Sequence, residues 1–294
     1  MGIKSSRQKW GYMFVLAGIV WYGLFMAYPM YYAVVLSVHR RWMGAQTTSL
    51  FVGLGNFGAI FTDPLFAKSF INTFYFTLMS VCLSTFPALF IAILLTIVTK
   101  LRGIYRTLYF LPSVCGVVAI GIIWTWLYQP TFGLFNHILE FLLLPPSRWI
   151  NDAKMALFCV ALTQAWMRLG FNVVIFLAGL LSIPEQFYDA AQVDGASRVC
   201  QIIHITLPLA MPIITFLLIY NTIYGLTVFG EIYMMTEGGP GNATYSVAYL
   251  MYETAFRYSG MGKGSAMALI LFVVILAITI VQMKFFERGT KVEY

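Results

Sequence analysis

The sequence is 294 residues long, 60 % hydrophobic and only 10 % charged, with a formal net charge of +7 and a mean hydropathy of +0.81. Soluble globular domains carry about a quarter charged residues, so this composition excludes a solvated domain and points to an integral membrane protein. The Lys and Arg residues flank apolar runs and form no basic patch interleaved with aromatics, which argues against nucleic-acid binding.

A bilayer crossing needs about 20 predominantly apolar residues, and lipid-exposed backbone must satisfy its own hydrogen bonds, as helices do. Six runs meet or approach that length: 12–38, 71–99, 107–128, 156–181, 207–235 and 266–283. The expected fold is therefore all-α, a single polytopic membrane domain over 1–294. The first run is longer than the roughly 7–15 apolar residues of a signal-peptide core and has no small-residue cleavage site, so it is expected to stay as a helix. Cationic residues in short loops set orientation. With both termini inside, Lys4, Arg7, Lys9, Lys100, Arg102, Arg106, Arg198, Lys284, Arg288 and Lys291 face the cytoplasm, against Arg40, Arg41, Lys68, Arg148, Lys154, Arg257 and Lys263 outside, ten against seven. The four cysteines, Cys82, Cys115, Cys159 and Cys200, show neither metal-ligand spacing nor a disulfide framework, and read as inert packing residues.

Along the chain, Trp10, Trp21, Tyr22, Tyr28 and Tyr31 give the first helix aromatic ends, and Pro29 predicts a kink. In the outer loop 39–70, the run from Gly53 to Gly58 matches a dinucleotide fingerprint, but no βαβ unit surrounds it. A basic turn at 100–106 joins the second and third helices, and Pro130, Gly133, Pro145 and Pro146 mark turns in a second outer loop, 129–155. On the fourth helix Gln164, Arg168 and Asn172 recur at i, i+4 and i+8 and predict one polar stripe. A cation at membrane depth costs roughly 2.5–3.5 kcal/mol on insertion scales. The stripe should therefore line a water-filled route or form a structural network with a neighbouring helix or subunit.

Between the fourth and fifth runs lies a polar stretch, 182–208. Ser182 with Glu185, and Pro184 between them, predict a capping box and a helix start. Phe187, Ala190, Ala191 and Asp194 share a face of that helix, and Gly195 supplies its left-handed stop. A second short amphipathic helix follows, with Val199, Ile202 and Ile203 apolar, and Leu207-Pro208 leads into the fifth run. On that run Tyr220, Asn221, Tyr224 and Thr227 form a comparable face, and Gly225 and Gly230 allow close packing or bending. Counting about 1.5 Å per residue from the helix ends puts Glu231 near the outer mouth and Arg168 level with Tyr224. The last outer loop, 236–264, holds the turn-rich Gly238-Gly239-Pro240-Gly241; Gly262-Lys263-Gly264-Ser265 lacks the upstream glycine and strand of a phosphate loop.

Asp189-Ala190-Ala191, then Gly195, then Ile205-Thr206-Leu207-Pro208 resemble the EAA loop of binding-protein-dependent ABC importer permeases. Arg106 to Pro112 with Trp124 and Trp126, Ala178-Gly179-Leu180 before Ile183-Pro184, and Thr236 with Gly238-Gly239-Pro240 extend the resemblance, over nearly the whole chain, to the maltose and glycerol-phosphate type carbohydrate branch. Asp189 stands where the motif usually has Glu, which keeps the charge and shortens its reach.

The resemblance implies the six-helix type I importer permease fold and a bacterial inner-membrane location. It implies a heterodimer with a second permease, two ATPase subunits and an extracytoplasmic solute-binding protein, with a sugar as cargo. This chain would be a transport subunit, not an enzyme. ATP and Mg would sit on the partner ATPase and no cofactor on this chain, whose cytoplasmic segments of at most 25 residues have no room for an ATPase domain. Glu185, Asp189, Ala190, Ala191, Asp194 and Gly195 would couple to the ATPase, and Ile205, Leu207 and Pro208 would fix the hinge to the fifth helix. Gln164, Arg168, Asn172, Tyr220, Asn221 and Tyr224 are the candidate substrate path, with helix packing as the competing role. A secondary transporter or channel is the alternative, and would normally need mid-span carboxylates, for which Glu231 alone is a weak candidate. A membrane-embedded enzyme would need catalytic groups at one depth, whereas His39, His137 and His204 fall in different loops.

Overall fold

The computed structural model describes residues 2–41, 49–97 and 102–287. Of the charges that set the expected orientation, Lys100, Arg288 and Lys291 lie outside the described residues. The described residues fall into two units, one within 1–64 and 251–272, the other within 65–250 and 273–294.

In the first unit, α1 (Gly2–Tyr22) passes through a wide five-residue turn, Gly23–Ala27, into α2 (Tyr28–Ser37). Pro29 accounts for the turn. It cannot donate to the carbonyl four residues back and its ring would strike that carbonyl, so the helix widens and the Tyr28 N–H bonds Gly23 O, five back. The kink expected at Pro29 is taken up this way, and Gly11–Ser37 is one continuous apolar helix of 27 residues. β1 (His39–Arg40) and β2 (Leu50–Phe51) pair antiparallel, with His39 opposite Phe51. The run Gly53 to Gly58 then opens α3 (Gly55–Phe61). Asn56 Nδ2 donates to Ser37 O and His39 O at 2.7 and 3.0 Å, so that run clips a hairpin to the end of α2. Lys263 Nζ bonds Asp63 Oδ2 at 2.8 Å, and Arg257 bonds the buried Glu253 at 2.7 Å.

The second unit is built around α4 (Pro64–Ile97) and three later spans. α4 begins seven residues before the expected 71, so the end of the first outer loop is helical. The third run is not one helix: α5 (Arg102–Val114) and α6 (Val117–Leu127) meet at an angle of 104°. Pro112 withdraws an N–H near the end of α5, and Gly116, with ψ 141°, is extended. After α7 (Leu134–Phe141) in the second outer loop comes α8 (Ala156–Leu180). α9 (Gln186–Val193), α10 (Arg198–Gln201), a wide turn Ile202–Thr206 and α11 (Leu207–Leu209) lead to α12 (Met211–Leu226).

The fifth run is also broken, by a 65° bend before Met211 and again after Leu226, so α13 (Gly230–Met235) is separate. Pro208 and Pro212 flank the first break, and Pro208 repeats the device seen at Pro29: the Leu207 N–H bonds Ile202 O. α14 (Val247–Tyr252) and α15 (Met261–Glu287) complete the chain. Among the described residues four helices are long and apolar enough to cross a membrane, and the count is up to six when each bent pair is one span.

α8 carries both cores of this unit. Cys159, Val160 and Ala161 pack with Phe76, Tyr128, Ile232 and Tyr249, while Val173, Phe176 and Leu177 pack with Ala88, Ala92 and Leu217. Glycine sets the closest approach: a Cβ on Gly170 would lie 1.8 Å from Tyr109 O of α5, the small-residue contact by which membrane helices pack. Of the cysteines only Cys159 is buried; Cys82, Cys115 and Cys200 are exposed, which corrects the expectation of packing roles. Cys115 Sγ donates to Leu111 O and Cys200 Sγ lies beside His204 Nδ1, both at 3.5 Å.

Candidate functional site

The loop 182–208 folds as a helix, a tight turn and a second helix. The expected capping box does not form. Ser182 Oγ instead donates back to Gly179 O at 2.7 Å, Glu185 is itself in helical conformation with no side-chain cap, and α9 starts at Gln186. The exit is as the glycine predicts. Gly195 has φ +76°, its N–H bonds Gln192 O and the Ala196 N–H bonds Ala191 O, the paired bonds of a Schellman stop. Ser197 then caps α10 by accepting from the Cys200 N–H.

No residue of α9 is buried. Phe187 is 45 % and Val193 89 % exposed, and Asp189, Ala190 and Asp194 are exposed with Glu185, while Ala191 is half-buried. Val199 and Ile203, expected on an apolar face, are also exposed. Uncovered apolar groups on a short helix carry a free-energy cost unless another surface meets them.

One side chain anchors α9 to the fifth span. Tyr188 Oη shares a hydrogen bond with Thr206 Oγ1 at 3.1 Å. Thr206 Oγ1 bonds Gln201 O at 3.4 Å, and Gln201 Nε2 donates to Ala196 O at 3.2 Å. Thr206 and Gln201 are buried. Ile205 and Leu207 are half-buried and Pro208 exposed at the wide turn that leads into α12. From the sequence alone Tyr188 and Ser197 have no assigned role, Thr206 enters only within the Ile205-to-Pro208 motif, and Gln201 only as a polar position of the second short helix. Ser197 had a readable signal, a serine opening a polar turn, but residues 188 and 206 meet only through the fold.

The polar groups within the spans divide in two. Gln164 is 2 % exposed and Asn172 0 %. Ser80 Oγ of α4 donates to Gln164 Oε1 at 2.6 Å, and Gln164 Nε2 donates to Glu231 Oε1 at 3.2 Å. Asn172 Nδ2 donates to Ser84 O at 3.3 Å, and Asn221 Nδ2 to Thr85 Oγ1 at 3.0 Å. These amides tie α8, α12 and α13 to α4. Arg168 turns the other way. Its Cζ lies 3.5 Å from the centre of the Tyr224 ring and its Nη1 3.4 Å from Tyr220 Oη, level with Tyr224 as the depth count expects. Tyr220 stacks on Phe171 and Phe216 and lies 4.7 Å, ring to ring, from Tyr224. The stripe at 164, 168 and 172 is thus one cation on an aromatic row and two buried bonding amides. Likewise Tyr220 and Tyr224 share a face that Asn221 leaves.

A bundle of bent spans stitched by buried amides, with an uncovered helix-turn-helix hung between the fourth and fifth spans, is the architecture of a membrane transport permease. Residues 55–292 match the family described as binding-protein-dependent transport system inner membrane component, and the chain belongs to that family. It is 34 % identical over 285 residues to the trehalose/maltose transport system permease protein MalF of Thermococcus litoralis, covering 96 % of this chain and 95 % of that one. It is 31 % identical over 280 residues to the sn-glycerol-3-phosphate transport system permease protein UgpA of Agrobacterium fabrum, covering 94 % of each. A chain of a bacterial ABC transporter involved in the import of the acidic polysaccharide alginate has the same fold, with a TM-score of 0.85 at 23 % identity over 98 % of this chain and 99 % of the other. The protein is an inner-membrane permease subunit of the ABC importer type, and a secondary transporter or channel is not favoured.

Proposed function

We propose that this chain forms one half of the translocation route of an ATP-driven importer for a sugar or sugar derivative, and that α9 docks on a separate ATPase subunit. The observation that carries the docking is the uncovered α9 tethered through Tyr188 and Thr206 to the base of α12. Relatives named for trehalose and maltose and for glycerol 3-phosphate support the sugar cargo. The assembly has a second permease, two ATPase subunits that bind ATP and Mg, and an external solute-binding protein; this chain binds no cofactor of its own. Both termini face the cytoplasm.

Closure of the ATPase dimer moves α9 as a rigid body. The Tyr188–Thr206 tie carries that motion across the wide turn 202–206 into α12, and the cavity opens outward to receive the sugar; hydrolysis returns it inward. Asp189, Ala190, Ala191, Asp194 and Gly195 form the docking surface with Glu185 beside them, and Ile205, Leu207 and Pro208 form the hinge. The outer loops receive the binding protein: segments 150–151 and 234–240 together line a cleft of about 400 Å³.

The test is uptake of radiolabelled sugar into proteoliposomes holding the complete transporter and its binding protein. Uptake should require ATP on the side of the membrane that carries the ATPase. Tyr188→Phe, which removes only the hydroxyl, should lower sugar imported per ATP hydrolysed about threefold to tenfold, as expected for one hydrogen bond worth roughly 1 kcal/mol. An unchanged ratio would remove the tether from the mechanism, and ATP-independent uptake would remove the ATPase.

A further inference from the structure

We infer that the cargo carries a negative charge, and that Arg168 is the residue that recognises it. The inference rests on the proposed route and names the substrate class for it.

A guanidinium has five N–H donors in a planar fork. Among the described residues Arg168 bonds Tyr220 at the long distance of 3.4 Å and lies against Tyr224, and no carboxylate lies within ion-pair distance. Glu231 is the acid within reach of the same helix, and it is committed elsewhere, accepting from Gln164 one turn away on α8. The cation is therefore held at membrane depth by the face of Tyr224 and the long bond to Tyr220, contacts that position it while leaving most of the fork unused. Purely structural arginines in membranes pair with acids or with several carbonyls; this one does neither.

The surroundings suit a charged sugar. Arg168 is half-buried, and Phe216 and Tyr224 beside it are exposed, so the fork is reachable. Phe171, Phe216, Tyr220 and Tyr224 offer ring faces to sugar C–H groups and two hydroxyls to sugar oxygens. A carboxylate or phosphate meets a guanidinium through two parallel bonds, which a neutral hydroxyl cannot match. The chemistry recognised is thus an anionic oxygen group on a sugar, either a uronate carboxylate or a phosphate ester.

The test uses the complete transporter in proteoliposomes with three labelled probes: digalacturonate, glycerol 3-phosphate and maltose. The wild type should import one of the two anions faster than maltose, and which one it imports tells carboxylate from phosphate. Arg168→Gln should lower that anion's uptake about tenfold to a hundredfold, and Arg168→Lys, which keeps charge but loses the fork, should fall between. Co-purification of the partner permease with each variant separates recognition from assembly. If Arg168→Gln loses the partner permease, or Arg168→Gln imports the anion as fast as wild type, the arginine is not the recognition residue. ATP-driven uptake of maltose alone overturns the substrate class and leaves the permease function standing; a wild type that holds no ATPase and imports none of the three overturns both.

Discussion

Gly170→Ala should dismantle the permease although it adds one methyl group. The new Cβ would lie 1.8 Å from Tyr109 O and 2.5 Å from the carbonyl carbon of the same residue. Both are backbone atoms of α5, so no side chain can rotate aside and the whole helix must move off α8. Overpacking ordinarily costs about 1–3 kcal/mol and more where backbone must shift; a loss of about 3 kcal/mol or more is expected here. Gly179 provides the control. Its Cβ would meet Ile213 Cδ1 at 1.7 Å, the far end of a flexible side chain, and Gly179→Ala should cost far less. Fluorescence-detected size exclusion after heating in detergent reads the difference. Wild type and Gly179→Ala should stay monodisperse at a temperature that aggregates Gly170→Ala. Equal stability of the two variants would mean that α5 and α8 are not in backbone contact.

Gly195→Val should leave the helices inserted and lower ATP-driven uptake at least tenfold. With φ +76° the position is left-handed, which costs an L residue about 1–2 kcal/mol, more for a β-branched one. Nothing lies within 4 Å of the added Cβ, so the strain is confined to the turn. It is relieved by giving up the paired bonds to Gln192 and Ala191, which redirects α9 relative to α10. Gly195→Asn separates geometry from bulk, because Asn tolerates this conformation; it should keep most of the uptake. If Val and Asn are equally impaired, bulk at the docking surface is the cause, and if neither is impaired the turn geometry is irrelevant to coupling.

Much of this was legible in the sequence because local chemistry decided it. Six apolar runs, the glycine stop at 195 and the polar loop before the fifth span all follow from composition and spacing. What failed depended on neighbours distant in sequence. Ser182 with Glu185 has capping-box spacing, yet Ser182 is spent on the last turn of α8. Pro112, Pro208 and Pro212 were visible, but whether a proline bends a helix or is absorbed in a wide turn is settled by packing: Pro29 is absorbed and the run around Pro112 is followed by a 104° turn. The residues at 164, 168 and 172 share a helical face, but a long arginine reaches past it to α12 while short amides stay against α4. The tether between Tyr188 and Thr206 spans eighteen residues and carries no periodic signal.

The docking of α9 on an ATPase is tested most directly by purifying this chain in detergent from its native membrane, as wild type and as Gly195→Trp, and identifying what comes with it. The wild type should bring a second permease and an ATPase, and the variant should keep the permease and lose the ATPase. A wild type that purifies alone, with the variant behaving identically, would contradict a coupling role for the loop.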